Sequence, residues 1–151
     1  VAVLSRAAEP APPPASPVSQ GELADLVARA RAALGHAHAP YSGFPVAAAV
    51  LDEQGRVHVG VNVENASFGL TNCAERVAIG AAIAAGAKRI RAVGVTAAKL
   101  HPISPCGACR QVILEFADPS APVASDAEDG RLVVGTAGEL LPGAFRLAPS
   151  A

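Results

Sequence analysis

The chain has 151 residues, enough for one hydrophobic core and too few for two self-sufficient ones. Twelve basic residues against thirteen acidic ones leave a net charge of −1, which excludes a protein that grips nucleic acid chiefly through its phosphates. A 51% apolar composition excludes intrinsic disorder, and with 3% aromatics, no Trp, no Met and thirty-five alanines the core must be built from small, closely packed side chains.

Residues 1–20 hold Pro10, Pro12, Pro13, Pro14 and Pro17, and read as an extended, poorly ordered Pro/Ala-rich tail ahead of one domain over 21–151. A first helix is predicted over Gly21–Leu34, with Leu23, Leu26, Val27, Ala30 and Leu34 at helical spacing and Gly35 as its left-handed stop. After a loop, the apolar run Val46–Leu51 and the alternating Arg56–Val63 read as two strands joined by a turn at Asp52–Gly55. A second helix is expected over Cys73–Ala85, capped by Thr71 or Asn72 and closed by Gly86, and a third strand over Arg91–Thr96. Ser104 as N-cap and Pro105 at the first helical position open a third helix running to Phe116. Short strands near Val123 and at Leu132–Val134 follow, then a partly helical Gly138–Phe145. This order predicts an α/β domain, a three-layer α/β/α sandwich around a mixed five-stranded sheet.

No window approaches the roughly 18 unbroken apolar residues of a membrane span, and residues 1–20 lack the basic start and apolar run of a secretory signal. Three cysteines cannot all pair within one chain, so a reducing cytoplasm is expected, where cysteines bind metal or do chemistry.

Their spacing favours metal. Cys106 and Cys109 fall in the first turn of the third helix and Cys73 opens the second, so all three sit where the helix dipole favours thiolate. Three thiolates converging from two helix starts suit tetrahedral zinc and leave a fourth position for water. Two other readings stand beside this one: a redox Cys-x-x-Cys pair, and a closed structural zinc site with His101 as fourth ligand. His36, His38 and His58 read as solvated loop or strand-surface residues. Glu75, two residues after Cys73, stands close enough to a metal to take a proton from its water; an ordinary first-turn Glu is the plainer reading.

With those residues in view, the sequence resembles the small, homotetrameric, zinc-dependent cytidine deaminases. The likeness runs from about Gly21 to Phe145 and rests on Tyr41-Ser-Gly-Phe-Pro-Val, Asn62-Val-Glu-Asn-Ala-Ser-Phe-Gly-Leu-Thr, Cys73-Ala-Glu-Arg, Ser104-Pro-Cys-Gly-Ala-Cys-Arg-Gln and Leu140-Leu-Pro-Gly-Ala-Phe. It implies Cys73, Cys106 and Cys109 as ligands of one Zn²⁺ per subunit and Glu75 as proton shuttle. It further implies Asn62 and Glu64 on the ribose 3′-hydroxyl, Phe44 lining the base pocket, and the Ala66 backbone reading the pyrimidine edge. Phe145 resembles an aromatic lent by a neighbouring subunit, so the active sites of the homotetramer would be shared. Ala47 stands where Gly is frequent and Phe68 where Tyr is frequent.

The function so implied is hydrolytic deamination of cytidine and 2′-deoxycytidine in pyrimidine salvage, by attack at C4 of the base. The alternative is a deaminase of the same fold acting on another aminopyrimidine such as blasticidin S. Neither nucleic acid nor membrane is expected as a partner. Three thiolates around Zn²⁺ leave a net negative centre, which opposes deprotonation of water; Arg76, and also Arg110, are expected to offset this by donating to ligand sulfurs.

Overall fold

Two kinds of surface organise the chain: strands that alternate small residues toward opposite faces, and helices with one apolar stripe each. The computed structural model describes residues 16–147, so the expected tail falls, for residues 1–15, outside the described residues. Within residues 16–19, Val18 packs against the core beside the first helix, and the Ser16 carbonyl accepts from Arg91.

Helix α1 spans Gln20–Ala33 and opens with a capping box in which Ser19 and Glu22 satisfy each other's backbone amides. Its stripe of Leu23, Leu26, Val27 and Ala30 is buried. Gly35 does not stop it in left-handed geometry, as expected from the sequence. The chain instead tightens into a 3₁₀ turn over Leu34–His36, where the Ala37 amide bonds to the Leu34 carbonyl and no positive φ is needed. Strands β1 (Val46–Asp52) and β2 (Val57–Val61) form the expected hairpin. Strand β2 stops two residues early because the Asn62 side chain and amide turn back onto Val46.

Helix α2 (Ala74–Ala84), strand β3 (Ile90–Ala97), helix α3 (Gly107–Phe116), strands β4 (Pro122–Asp126) and β5 (Leu132–Thr136), and the single turn α4 (Ala137–Leu140) complete the fold. Gly86, at φ +94°, closes α2 as predicted. The strands lie in the order β2-β1-β3-β4-β5, antiparallel throughout except for β3 with β4, whose parallel pairing is bridged by α3. The expected mixed five-stranded sheet is present.

Alternation along the central strands divides the core. Ala47, Ala49, Leu51, Ala92 and Ala124 face α1, whereas Ala48, Val50, Val93, Val95 and Val123 face α2, α3 and α4. Small side chains on both sides let helices approach closely, which is where the alanine-rich composition goes. Among the described residues, no helix is long and apolar enough to cross a membrane.

Candidate metal centre and active site

The N-termini of α2 and α3 lie side by side. Cys73 is the N-cap of α2 and Cys106 the N-cap of α3, each in extended geometry with its carbonyl accepting the first intrahelical bond. The expected caps, Thr71 or Asn72 and Ser104, and the expected first helical residue Pro105, are displaced because their groups are engaged elsewhere. The Thr71 hydroxyl accepts from the Asn65 amide, the Asn72 backbone pairs with Val63, and the Pro105 carbonyl and Ser104 hydroxyl accept from Arg110.

This brings the Sγ atoms of Cys73, Cys106 and Cys109 within 4.8 Å of one another, with Cys73 and Cys106 3.9 Å apart. Tetrahedral zinc with Zn–S bonds of about 2.3 Å places its sulfurs about 3.8 Å apart, so the three thiols fit that metal. His101 does not join them: its Nδ1 lies 3.4 Å from Asp126 Oδ1, and the residue lines a cleft of about 430 Å³ against α1, on the other face of the sheet. That removes the closed structural site with His101 as fourth ligand. His58 is not solvated as expected either, being only 12% exposed with Nε2 2.9 Å from Asp52 Oδ2.

Charge is unevenly shared among the thiols. The neighbouring Cys109 thiol, aided by the Arg76 guanidinium and opposed by burial, pulls Cys73 down to about 5. Cys109 is pushed far up, first by the neighbouring Cys73, then by burial and the Glu75 charge. Thiols bind zinc as thiolates, so metal binding at this cluster would release the protons they carry. Glu75 is 4% exposed, and one carboxylate oxygen sits 3.4 Å from Cys109 Sγ. Burial raises its pKa, so this carboxyl holds a proton more readily than a solvated one.

Arg76 Nη2 donates to Cys73 Sγ at 3.4 Å and to the Thr71 carbonyl at 3.0 Å. Arg110 does not: its guanidinium goes to the Pro105 and Leu140 carbonyls and the Ser104 hydroxyl, bracing the approach to α3. Asn62 and Glu64, which follow β2, clamp the loop ahead of β1 that carries Phe44. The Asn62 amide accepts from Val46 N and donates to the Phe44 carbonyl, both at 2.9 Å, while Glu64 accepts from the Tyr41 and Ser42 amides. Ala66 is exposed, and the Phe145 side chain is 69% exposed while its carbonyl accepts from Gln111 at 2.9 Å. Sequence reasoning missed this Gln111 contact and the loop-clamping work of Asn62 and Glu64; long-range side-chain-to-backbone bonds leave no periodicity to read.

Fold and site together define a zinc-binding α/β enzyme domain. Residues 21–125 match the family model of the cytidine and deoxycytidylate deaminase zinc-binding region, and the chain belongs to that family. It is 44% identical over 124 residues to the cytidine deaminase of Sporosarcina psychrophila, covering 82% of this chain and 91% of that one. It is 47% identical over 109 residues to the cytidine deaminase of Halalkalibacterium halodurans, covering 72% and 83%. The crystal structure of cytidine deaminase from Burkholderia pseudomallei superposes with a TM-score of 0.77 at 45% identity, over 85% of this chain and all of that one.

Proposed function

We propose that the chain hydrolyses cytidine and 2′-deoxycytidine to the corresponding uridines, releasing ammonia and returning the nucleosides to pyrimidine salvage in the cytoplasm. The observation that carries this reading is the buried Glu75 carboxylate set 3.4 Å from a cluster of three thiols fit for zinc. Relatives that carry the name cytidine deaminase over most of both chains support the same reaction.

Zinc held by Cys73, Cys106 and Cys109 supplies Lewis acidity, which lets water ionise near neutral pH. Glu75 takes the proton that water releases and delivers it to N3 of the base as oxygen adds to C4. It then carries the remaining hydroxyl proton to the exocyclic nitrogen, which leaves as ammonia while C4 becomes a carbonyl. One carboxylate serves as base and then as acid because both partners lie within its reach. Arg76 draws charge from the Cys73 sulfur and so eases the first proton transfer.

Asn62 and Glu64 hold the ribose 3′-hydroxyl, Phe44 flanks the base, and the Ala66 backbone meets the pyrimidine edge. Asn62 retains one amide hydrogen and one lone pair beyond its loop contacts, which suffices for a sugar hydroxyl. A 3′-phosphate would set negative charge against Glu64, so cytosine within single-stranded DNA is a poor substrate. Four copies assemble with shared sites, the exposed Phe145 of one entering the pocket of another.

The test is ammonia release by the zinc-loaded protein offered cytidine, 2′-deoxycytidine, blasticidin S and a cytosine-containing oligodeoxynucleotide. Turnover of the two nucleosides with at least hundredfold preference over the oligonucleotide is expected. Turnover of blasticidin S alone would move the substrate class, and efficient deamination of the oligonucleotide would refute the role given to Glu64.

A further inference from the structure

Two glycines lie inside the central sheet with no room above them. A Cβ built on Gly94 of β3 would come within 2.9 Å of the Leu26 Cβ and the Val27 amide of α1. A Cβ on Gly60 of β2 would come within 2.3 Å of the Ala78 amide nitrogen and 2.5 Å of the Ala74 carbonyl of α2. Neither has a positive φ, so both are glycine for closeness and not for conformation.

The two close approaches differ in what they carry. Gly94 presses on the middle of α1, on the face of the sheet away from the thiols. Gly60 pairs with Ala48 across the hairpin, on the α2 side, and presses on the first hydrogen-bonded turn of α2. The atoms it touches belong to Ala74, which stands between Cys73 and Glu75, and to Ala78, one turn further on. Ala74, Ala78 and Ala82, at i, i+4 and i+8, are all fully buried, so the helix has no softer layer to yield.

We propose that Gly60 is a positioning residue for the deaminase site: its bare Cα fixes the height of the first turn of α2 over the sheet, and with it Cys73 and Glu75 relative to Cys106 and Cys109. A methyl at this position must drive backbone from backbone, since no flexible side chain stands in its way, and ordinary contact distances put the displacement at roughly 1 Å. The three atoms nearest the added methyl all belong to α2 and none to α3, so the shift is between the ligands and not of the cluster as a whole. Reacting groups misplaced on that scale lose about a hundredfold in rate.

The inference rests on the reading of Cys73 and Glu75 as ligand and proton shuttle. Its test pairs Gly60→Ala with Gly94→Ala, both overpacking a helix against the sheet. Three quantities are measured on each: melting temperature, kcat and KM for cytidine, and the absorption spectrum of the cobalt-substituted protein. Both variants should melt lower. Gly60→Ala should lose at least tenfold in kcat with KM changed less than threefold, show an altered thiolate-to-cobalt band, and release zinc to a chelator faster. Gly94→Ala should keep wild-type kcat, cobalt spectrum and zinc release.

Wild-type kcat and cobalt spectrum in Gly60→Ala, or equal losses in Gly94→Ala, would overturn the proposal. Should Gly60→Ala not fold, Ala48→Ser puts one added atom beneath α2 from the paired position, and the same shifts at smaller size are expected; wild-type values there overturn it equally. A Glu75→Ala protein that still turns over cytidine would sink the underlying reading, whereas its inactivity beside an unaffected Gly60→Ala sinks the positioning role alone.

Discussion

At the scale of single residues, the proposed chemistry turns on the charge around the three sulfurs. Among the described residues, Arg76 is the one cation donating to a ligand sulfur, through Nη2 to Cys73 at 3.4 Å, and it joins Cys109 in drawing the Cys73 thiol toward thiolate. Partners of metal ligands are worth ten- to a hundredfold in metal affinity or activity. Arg76→Gln should therefore lose zinc to a chelator at least tenfold faster, or turn over cytidine at least tenfold slower; a variant equal to wild type in both would remove Arg76 from the mechanism. The grouping of the cysteines with Glu75 was legible from spacing, because the approximate place of two helix starts was, even though their caps were not. That Arg110 would turn away from sulfur was not, since its partners are carbonyls of Pro105 and Leu140, brought near only by the tertiary fold.

At the scale of elements, the β1–β2 hairpin is held by a buried carboxylate. Burial pushes the Asp52 carboxyl up, but hydrogen bonds from His58, from the amide and guanidinium of Arg56 and from the Gln54 amide outweigh it and hold it at about 2, against an ordinary 3.8. Arg56 also reaches the Ala85 carbonyl, so the same cluster anchors the far end of α2. Folded Asp52 keeps its charge where the unfolded chain takes up a proton. Its contribution is therefore complete above about pH 4 and is lost as pH falls toward 2. In urea unfolding, wild type should lose more stability between pH 7 and pH 3 than Asp52→Asn does, and the variant should be weaker by about 2 kcal/mol at pH 7. Parallel losses with pH in the two proteins would contradict the assignment.

The first strand followed from its continuous apolar run, the second from period-two alternation, and α1 from its apolar stripe. Helix starts were read less well. Ser104-Pro105 and Thr71-Asn72 have the composition of caps, yet cysteines occupy the cap positions because the nominal caps spend their groups on Arg110, Asn65 and Val63. Local preference yields where a side chain from elsewhere offers a better partner.

At the scale of the whole molecule, the layer architecture was legible, but the strand order was not. Pairing β3 with β4 in parallel depends on α3 crossing over, and nothing local in either strand says so. Two aromatics stand open to contact in the single copy: Phe68 is 75% exposed against the edge of Tyr41, and Phe145 nearly as bare. If four copies share their sites, mixing Glu75→Ala with Phe145→Ala subunits rebuilds pockets that hold both residues. Co-refolded mixtures should then exceed the mean activity of the two parents severalfold. Activity equal to that mean, or a single chain in sedimentation, would show that each site is complete in one copy.

The most direct test of the account is ammonia release from cytidine by purified protein, measured beside Glu75→Ala with zinc content determined on both. Wild type should release ammonia and uridine in equal amounts. The variant should retain one zinc per chain while losing at least a thousandfold in rate, on the order expected when the group that both takes and returns the proton is removed. Equal release by the two proteins at equal zinc content would contradict the central claim that Glu75 moves the protons of this reaction.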